Sequence, residues 1–349
     1  MEATNTTYFL AIAATALRSR SKSTIIAESV FLFVINISAL VGNSLILWLI
    51  LRSRTLRRAV TNTYLIALAF SDLLMSILVM PMTLSILITG KWVLGPYCCK
   101  LQGFSILVLA WASLHIMALT ALNRYFRVVR SVSYKKRFTR RFAALSIIIV
   151  LIIAVILALL PTVLRWSEFT FRPDKVSCFI TFYPELPTIK SSYTSFLLLV
   201  YTVIPMVTII FCYFKVFRNV RRHVNSVQPS LGTRSAMNGE ELRVTNTLFA
   251  IVLGFLTCWL PVVVIELLNA FLGTASLPRW VYLVYIYLVY VSNVVNALVY
   301  GIMNRTFRRQ ARSLIGDRSV LNGAVGNTVA TGVNVVLPVK TDMNTATRM

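Results

Sequence analysis

The sequence predicts an all-α membrane protein, a seven-transmembrane helix bundle with a short amphipathic cytoplasmic helix after the seventh crossing. Three observations predict it. The 349 residues are 57% hydrophobic and only 13% charged, more apolar than one soluble core of this length would bury. Apolar runs recur at roughly 27–51, 62–88, 97–122, 142–164, 192–214, 244–272 and 279–303, each at or above the ~20 residues that cross a ~30 Å hydrocarbon layer as a helix. The basic residues cluster in every second connection between those runs.

That clustering decides how the net charge of +24 is read. Arg52, Arg54, Arg57 and Arg58 follow the first run, and Arg124, Arg127, Arg130, Lys135, Lys136, Arg137, Arg140 and Arg141 follow the third. Lys215, Arg218, Arg221, Arg222, Arg234 and Arg243 separate the fifth from the sixth, and Arg305, Arg308, Arg309 and Arg312 follow the seventh. Such a bias marks the cytoplasmic side. It predicts a multi-pass membrane protein with its C-terminus in the cytoplasm, its N-terminus outside and membrane lipid as its solvent, and it argues against nucleic acid as a partner.

The organisation follows: 1–24 as an extracellular N-terminus, 25–303 as the membrane domain, 304–315 as the amphipathic helix and 316–349 as a disordered cytoplasmic tail. Residues 1–24 lack the basic, apolar and cleavage-site order of a signal peptide. Asn5-Thr-Thr7 is a glycosylation acceptor on the predicted outer side. The tail is rich in Asn, Thr, Val and Gly without helical periodicity, and no internal repeat suggests an inverted-repeat transporter.

Among five cysteines, Cys99 opens the third helix and Cys178 falls in the outer loop after the fourth. An oxidising face permits their disulfide, with Cys98 as a competitor. Cys212 and Cys258 lie inside helices and read as packed thiols. From Cys99 to Arg124 is 25 residues, or ~37 Å at the helical rise. The third helix therefore carries a covalent anchor at one membrane face and an arginine at the other.

The motifs along this frame resemble those of class A, rhodopsin-like G protein-coupled receptors over residues 25–315. They are Gly42-Asn43, Leu68-Ala-Phe-Ser-Asp72, Trp92, Cys99, Asn123-Arg124-Tyr125, Pro205, Tyr213, Phe255-Leu-Thr-Cys-Trp-Leu-Pro261 and Asn296-Ala-Leu-Val-Tyr300. Asn123 ahead of Arg124, Ala297 after Asn296 and Gly301 after Tyr300 are similar to the choices of melatonin receptors, as are Gly103-Phe104, Ser191-Ser-Tyr-Thr194, Phe211-Cys-Tyr213 and Tyr290. The resemblance implies a receptor rather than an enzyme. It would bind an extracellular small molecule in the outer bundle and activate a heterotrimeric G protein.

The chemistry of the motif residues can be read beside the resemblance. Asp72 is a carboxylate at mid-membrane depth, costly unless partnered. Asn43, Ser113, Ser292, Asn293 and Asn296 supply polar groups at compatible depths; in the family such a cluster holds a sodium ion, the one ion implied and otherwise no cofactor. Pro205 and Pro261 remove backbone donors and create bends. By resemblance, a ligand pressing near Trp259 lets the inner end of the sixth helix swing out, and Arg124 then meets Tyr213 and Tyr300. Neutral Asn123 offers Arg124 no adjacent carboxylate, so Glu241 is the expected restraint, with Glu240 as the alternative.

For the ligand, the position where amine receptors carry an aspartate is Ile106, and the position of the opsin lysine is Tyr290. Melatonin receptors have polar residues where this chain has Thr162, Phe182, Tyr201 and Val263, and a tryptophan at Ile152, so the pattern is that of a diverged or orphan relative. Alternatives are an amine, peptide or lipid receptor of the same class, an opsin-related protein without the lysine, or a non-signalling seven-helix protein. Glu266, five residues after Pro261, is an ionisable group within a predicted helix. It is either an ion pair with Arg279 or Lys175, or an acceptor in a ligand pocket enclosed by Tyr201, Tyr290, Phe179 and Ile180. His115 and His223 stand alone, without metal-ligand spacing.

Overall fold

The computed structural model describes residues 2–183, 185–226, 250, 253–269, 277–303, 308 and 309. Six of its helical spans are long and apolar enough to cross a membrane: Lys22–Arg52, Val60–Thr89, Gly95–Val129, Arg140–Val163, Thr188–Arg222 and Arg279–Gly301. The remaining crossing is described over Leu253–Asn269. In chain order these are the first to seventh crossings, with Leu253–Asn269 the sixth.

Their exposure is the inverse of a soluble protein. On the first crossing, Leu32, Ile35, Ala39, Asn43, Ile46 and Ile50 recur at helical spacing on the buried side, while Phe31, Val34, Val41, Leu45 and Trp48 face outward. The fourth buries Ala143, Ala154 and Ala158 and exposes Leu145, Ile148, Ile152 and Ile156. Lipid tails offer no gain for burying Leu or Ile, so small residues are kept for the places where helices meet. The same logic brings crossings close at Gly42, where a Cβ would stand 2.8 Å from that of Ala297, and at Gly254, 2.6 Å from Val295.

The third crossing is the hub, packing against the second, fourth and fifth. Among the described residues two crossings depart from regular helix. The second divides at Val79 into Val60–Leu78 and Met80–Thr89, because Pro81 has no amide donor and its ring opposes the carbonyl four residues back. The fifth passes through a π-helical turn at Leu199–Val203, just before Pro205.

Two features went unpredicted. An N-terminal helix, Glu2–Arg18, occupies most of the segment expected only as an extracellular N-terminus. Its Leu17 is fully buried, and its end rests on Gly90, the left-handed cap (φ 70°) of the second crossing. Arg20 then donates to Glu28 at 2.5 Å and to the Leu87 carbonyl at 2.6 Å. The loop after the fourth crossing is an antiparallel hairpin, β1 Ser167–Arg172 with β2 Ser177–Phe182, in the register Phe169↔Ile180 and Phe171↔Cys178. Phe169, Thr170 and Phe171 on one strand and Phe179, Ile180, Thr181 and Phe182 on the other are the aromatic and β-branched residues that favour strands, in a segment expected as loop.

Residues 308–349 form a second unit, of which only Arg308 and Arg309 are described, both helical. Most of the expected amphipathic helix and all of the expected tail therefore lie outside the described residues.

Candidate functional site

The hairpin is fixed to the third crossing in three ways. Cys178 forms a disulfide with Cys99, at a Cα separation of 5.3 Å, while Cys98, the competitor, remains a free thiol. The Cys178 backbone N–H donates to Gln102 Oε1 at 2.9 Å. Phe169 lies against Gly103, where any Cβ would stand 2.6 Å from its ring, so only glycine admits the hairpin at this height. Gln102 continues inward, its Nε2 donating to Thr83 Oγ1 at 3.1 Å. Thr83 in turn shares a 2.7 Å hydrogen bond with the Tyr290 hydroxyl. A polar chain thus runs from the hairpin across the third and second crossings to the seventh.

Beneath the hairpin is a cavity of about 130 Å³, many times the space one water needs. Ile106, Trp111, Phe179, Ile180, Phe182, Trp259 and Glu266 line it, together with Val263 and Tyr285. Five residues expected from the sequence to touch ligand (Ile106, Phe179, Ile180, Phe182 and Trp259) therefore meet here, along with Glu266. Tyr201 and Tyr290 do not. Tyr201 stacks on the far side of Trp111 at 4.2 Å, with His115 edge-on at 5.0 Å, and Tyr290 is turned toward Thr83. On a helix each residue is rotated ~100° from the last, so residues at the right depth still face a neighbour instead of the cavity.

At the hairpin end of the cavity Lys175 Nζ pairs with Glu266 Oε1 at 3.0 Å. The ammonium lies 4.1 Å from the Phe179 ring centroid and 5.2 Å from that of Tyr285. Of the two sequence-based partners for Glu266, Lys175 takes the role; Arg279 instead joins Arg20 on Glu28, at 2.7 Å. Arg172 is bidentate to Asp174, at 2.9 and 2.8 Å. Burial works against its charge, yet that hydrogen bond and the carboxylate hold its pKa above the ordinary value. At the cavity base, Trp259 stacks with Phe255 at 5.7 Å, and its indole N–H is buried without a protein partner.

Deeper in the bundle Asp72 is buried. Asn296 Nδ2 donates to its Oδ2 at 3.3 Å, and Asn43 Nδ2 donates to the Asn293 carbonyl at 3.0 Å. Ser113 shares a 3.3 Å bond with Ser71, Ser292 donates to Val289, and the Asn293 amide donates to its own helix. Only Asn296 of the predicted cluster bonds the Asp72 carboxylate directly. Asp72 Oδ1, Asn43 Oδ1 and Asn296 Oδ1 are left buried with no protein partner.

At the end opposite the hairpin, Arg124 interacts with Tyr300 and Tyr213. Asn123 is fully buried and accepts from Thr61 Oγ1 at 3.1 Å, while Tyr125 packs toward Phe211. Asn123 is thus a bridge between the third and second crossings. Glu241 and Glu240 lie outside the described residues, as does the side chain of Asn5. Pro261 lies within the sixth crossing, two residues beyond Trp259.

Sequence reasoning missed Gln102, Thr83 and Trp111. Gln102 carried a usable signal, an amide in an apolar helix within one turn of Cys99, since a buried amide demands partners. Thr83 and Trp111 carried none, because both residue types occur freely in lipid-facing and buried positions.

A hairpin-capped cavity, a buried carboxylate among amides and hydroxyls, and an arginine beside two tyrosines, strung along seven crossings, are the architecture of a membrane receptor. The family model for the seven-transmembrane receptors of the rhodopsin family matches residues 42–300, and the chain belongs to that family. It is similar to melatonin receptor type 1B-B of Danio rerio, 30% identical over 291 residues, covering 82% of this chain and 80% of the relative. It is also similar to melatonin receptor type 1B of Homo sapiens, 28% identical over 292 residues (83% and 78% covered). Among solved structures squid rhodopsin superposes with a TM-score of 0.72 at 22% identity, covering 85% of this chain and 87% of that one, a likeness of fold.

Proposed function

We propose that this melatonin-receptor-like protein sits in the plasma membrane with the hairpin outside and Arg124 inside, takes a small aromatic ligand in the hairpin-capped cavity, and passes the signal to a heterotrimeric G protein. The carrying observation is that Trp259 closes the base of the cavity two residues before Pro261. A ligand there presses directly on a helix whose proline makes bending cheap. At the far end the Arg124, Tyr213 and Tyr300 group supplies the surface whose rearrangement opens a site for the C-terminal helix of a Gα subunit.

The cavity walls differ from those implied for melatonin itself. Phe182 and Val263 present apolar surface, and the Tyr201 hydroxyl is turned away with no protein partner. A site gives up much affinity when hydrogen-bonding groups are lost, so melatonin is not favoured as the natural ligand.

The three orphaned oxygens of Asp72, Asn43 and Asn296 suit a hard cation, which takes oxygen ligands. These residues, with Ser113, Ser292 and Asn293 of the expected cluster, would hold a sodium ion whose charge offsets that of Asp72.

A second-messenger screen in cells expressing the full chain, against melatonin, other indoles, amines, peptides and lipids, tests the reading. An active indole whose response disappears in Trp259→Ala at equal surface expression supports it. Responses only to peptides or bulky lipids, unaffected by Trp259→Ala, would remove the cavity from the account.

A further inference from the structure

The polar end of the cavity is an ion pair presented to the ligand space by two different elements. Lys175 comes from the hairpin turn and Glu266 from the sixth crossing, and both line the cavity. The Lys175 side chain is nearly buried, 8% exposed, whereas that of Glu266 is 26% exposed. The two charges cancel, and the next pair along the hairpin, Arg172 with Asp174, cancels internally as well. Below lies an aromatic box: Phe179 and Tyr285 beside the lysine, Trp111 on the third crossing, and Trp259 at the base. Glu266 and Trp259 are seven residues apart, ~10 Å along the helix, which leaves a ring-sized space between head and base.

A ligand bearing only an ammonium could reach Glu266, but it would bring a like charge against Lys175. One bearing only a carboxylate would do the reverse to Glu266. Either leaves a partly buried charge without its counter-ion, which is strongly unfavourable. A molecule carrying both groups exchanges one ion pair for two, with every charge still compensated and each new contact a charge-assisted hydrogen bond.

We propose that the cavity is built for an aromatic zwitterion of the α-amino-acid type, its carboxylate on Lys175, its ammonium on Glu266 and its ring in the box above Trp259. This rests on the reading that the cavity is the ligand site. Engagement separates Lys175 from Glu266, so the ligand itself becomes the bridge between the hairpin and the sixth crossing.

The test uses the purified full-length receptor in lipid nanodiscs at neutral pH, with binding measured for L-tryptophan, tryptamine, indole-3-propionate and N-acetyltryptamine. The expected result is tryptophan at least about tenfold tighter than either singly charged analogue. The variants should cross over: Lys175→Gln shifts preference toward tryptamine, because Glu266 is freed, and Glu266→Gln shifts it toward indole-3-propionate. A purely structural ion pair would weaken all four probes together and give no crossover, which would overturn the inference. N-acetyltryptamine binding most tightly, with both variants unchanged, would also overturn it while leaving the receptor reading intact. No binding by any probe overturns it too, and the second-messenger screen then decides separately whether the cavity takes another ligand.

Discussion

The backbone N–H of Cys178 donates to the side-chain carbonyl of Gln102 at 2.9 Å, so the disulfide-bearing strand is held to the third crossing by a hydrogen bond as well as by its sulfur. Gln102 spends its amide on Thr83 and the Val79 carbonyl. Replacing Gln102 by Leu leaves a buried backbone donor unsatisfied, at a cost of about 1–3 kcal/mol. The expected outcome is a lower unfolding temperature of the purified receptor, with the Cys99–Cys178 bond still found by non-reducing peptide mapping.

Loss of the disulfide acts differently. It closes a loop of 79 residues, and such cross-links typically contribute about 2–4 kcal/mol. Cys99→Ala is expected to reduce surface expression more than Gln102→Leu does. Free Cys98 is adjacent in sequence, and mapping of the Cys99→Ala protein shows whether it takes over the bond.

Gly103 meets Phe169 so closely that a methyl group must displace the ring or lift the hairpin, and that methyl would also stand 3.3 Å from the Cys178 carbonyl oxygen. Gly103→Ala should destabilise by about 1–3 kcal/mol through overpacking. Pairing it with Phe169→Leu should recover part of that loss in the same thermal assay. No recovery would mean that the backbone contact with Cys178 dominates.

Arg124 stands with Tyr213 and Tyr300 and with no carboxylate among the described residues. Tyr213→Phe and Tyr300→Phe keep the rings and remove only the hydroxyls, of which that of Tyr300 is hydrogen-bonded to the guanidinium and that of Tyr213 interacts with its charge. Tyr300→Phe is expected to lower ligand-stimulated G protein activation several-fold at equal surface expression, since hydrogen bonds to charged groups contribute about 1.5–3 kcal/mol, and Tyr213→Phe to lower it less. Activation at wild-type level in both would assign the tyrosines to packing.

The buried oxygens around Asp72 predict sensitivity to sodium. Replacing sodium chloride by an equal concentration of a bulky organic cation salt should change agonist affinity in the wild type, and Asp72→Asn should abolish that difference. An equal difference in the mutant would place any sodium effect elsewhere.

Much of this molecule was legible in the chain. Seven apolar runs, the alternation of basic connections and the motifs at Asp72, Arg124, Trp259 and Tyr300 each depend on local composition or on spacing along one helix, which membrane thickness and helical rise fix without knowledge of neighbours. The sequence also determined that Glu266 needs a partner, because an ionisable group at that depth is tolerated only with one.

Which partner it takes was a tertiary matter. Lys175 reaches Glu266 across 91 residues because a β-hairpin, pinned by Cys178 and seated on Gly103, turns its tip into the bundle. Arg279 is drawn off to Glu28, a carboxylate it shares with Arg20. Tyr201 and Tyr290 had the right depth for the cavity but the wrong rotation, and the stacking with Trp111 and the bond to Thr83 that turn them away come from other helices. Periodicity states which side of a helix avoids lipid; only the packed bundle decides whether that side meets a cavity or a neighbour, because both remove it from lipid equally well.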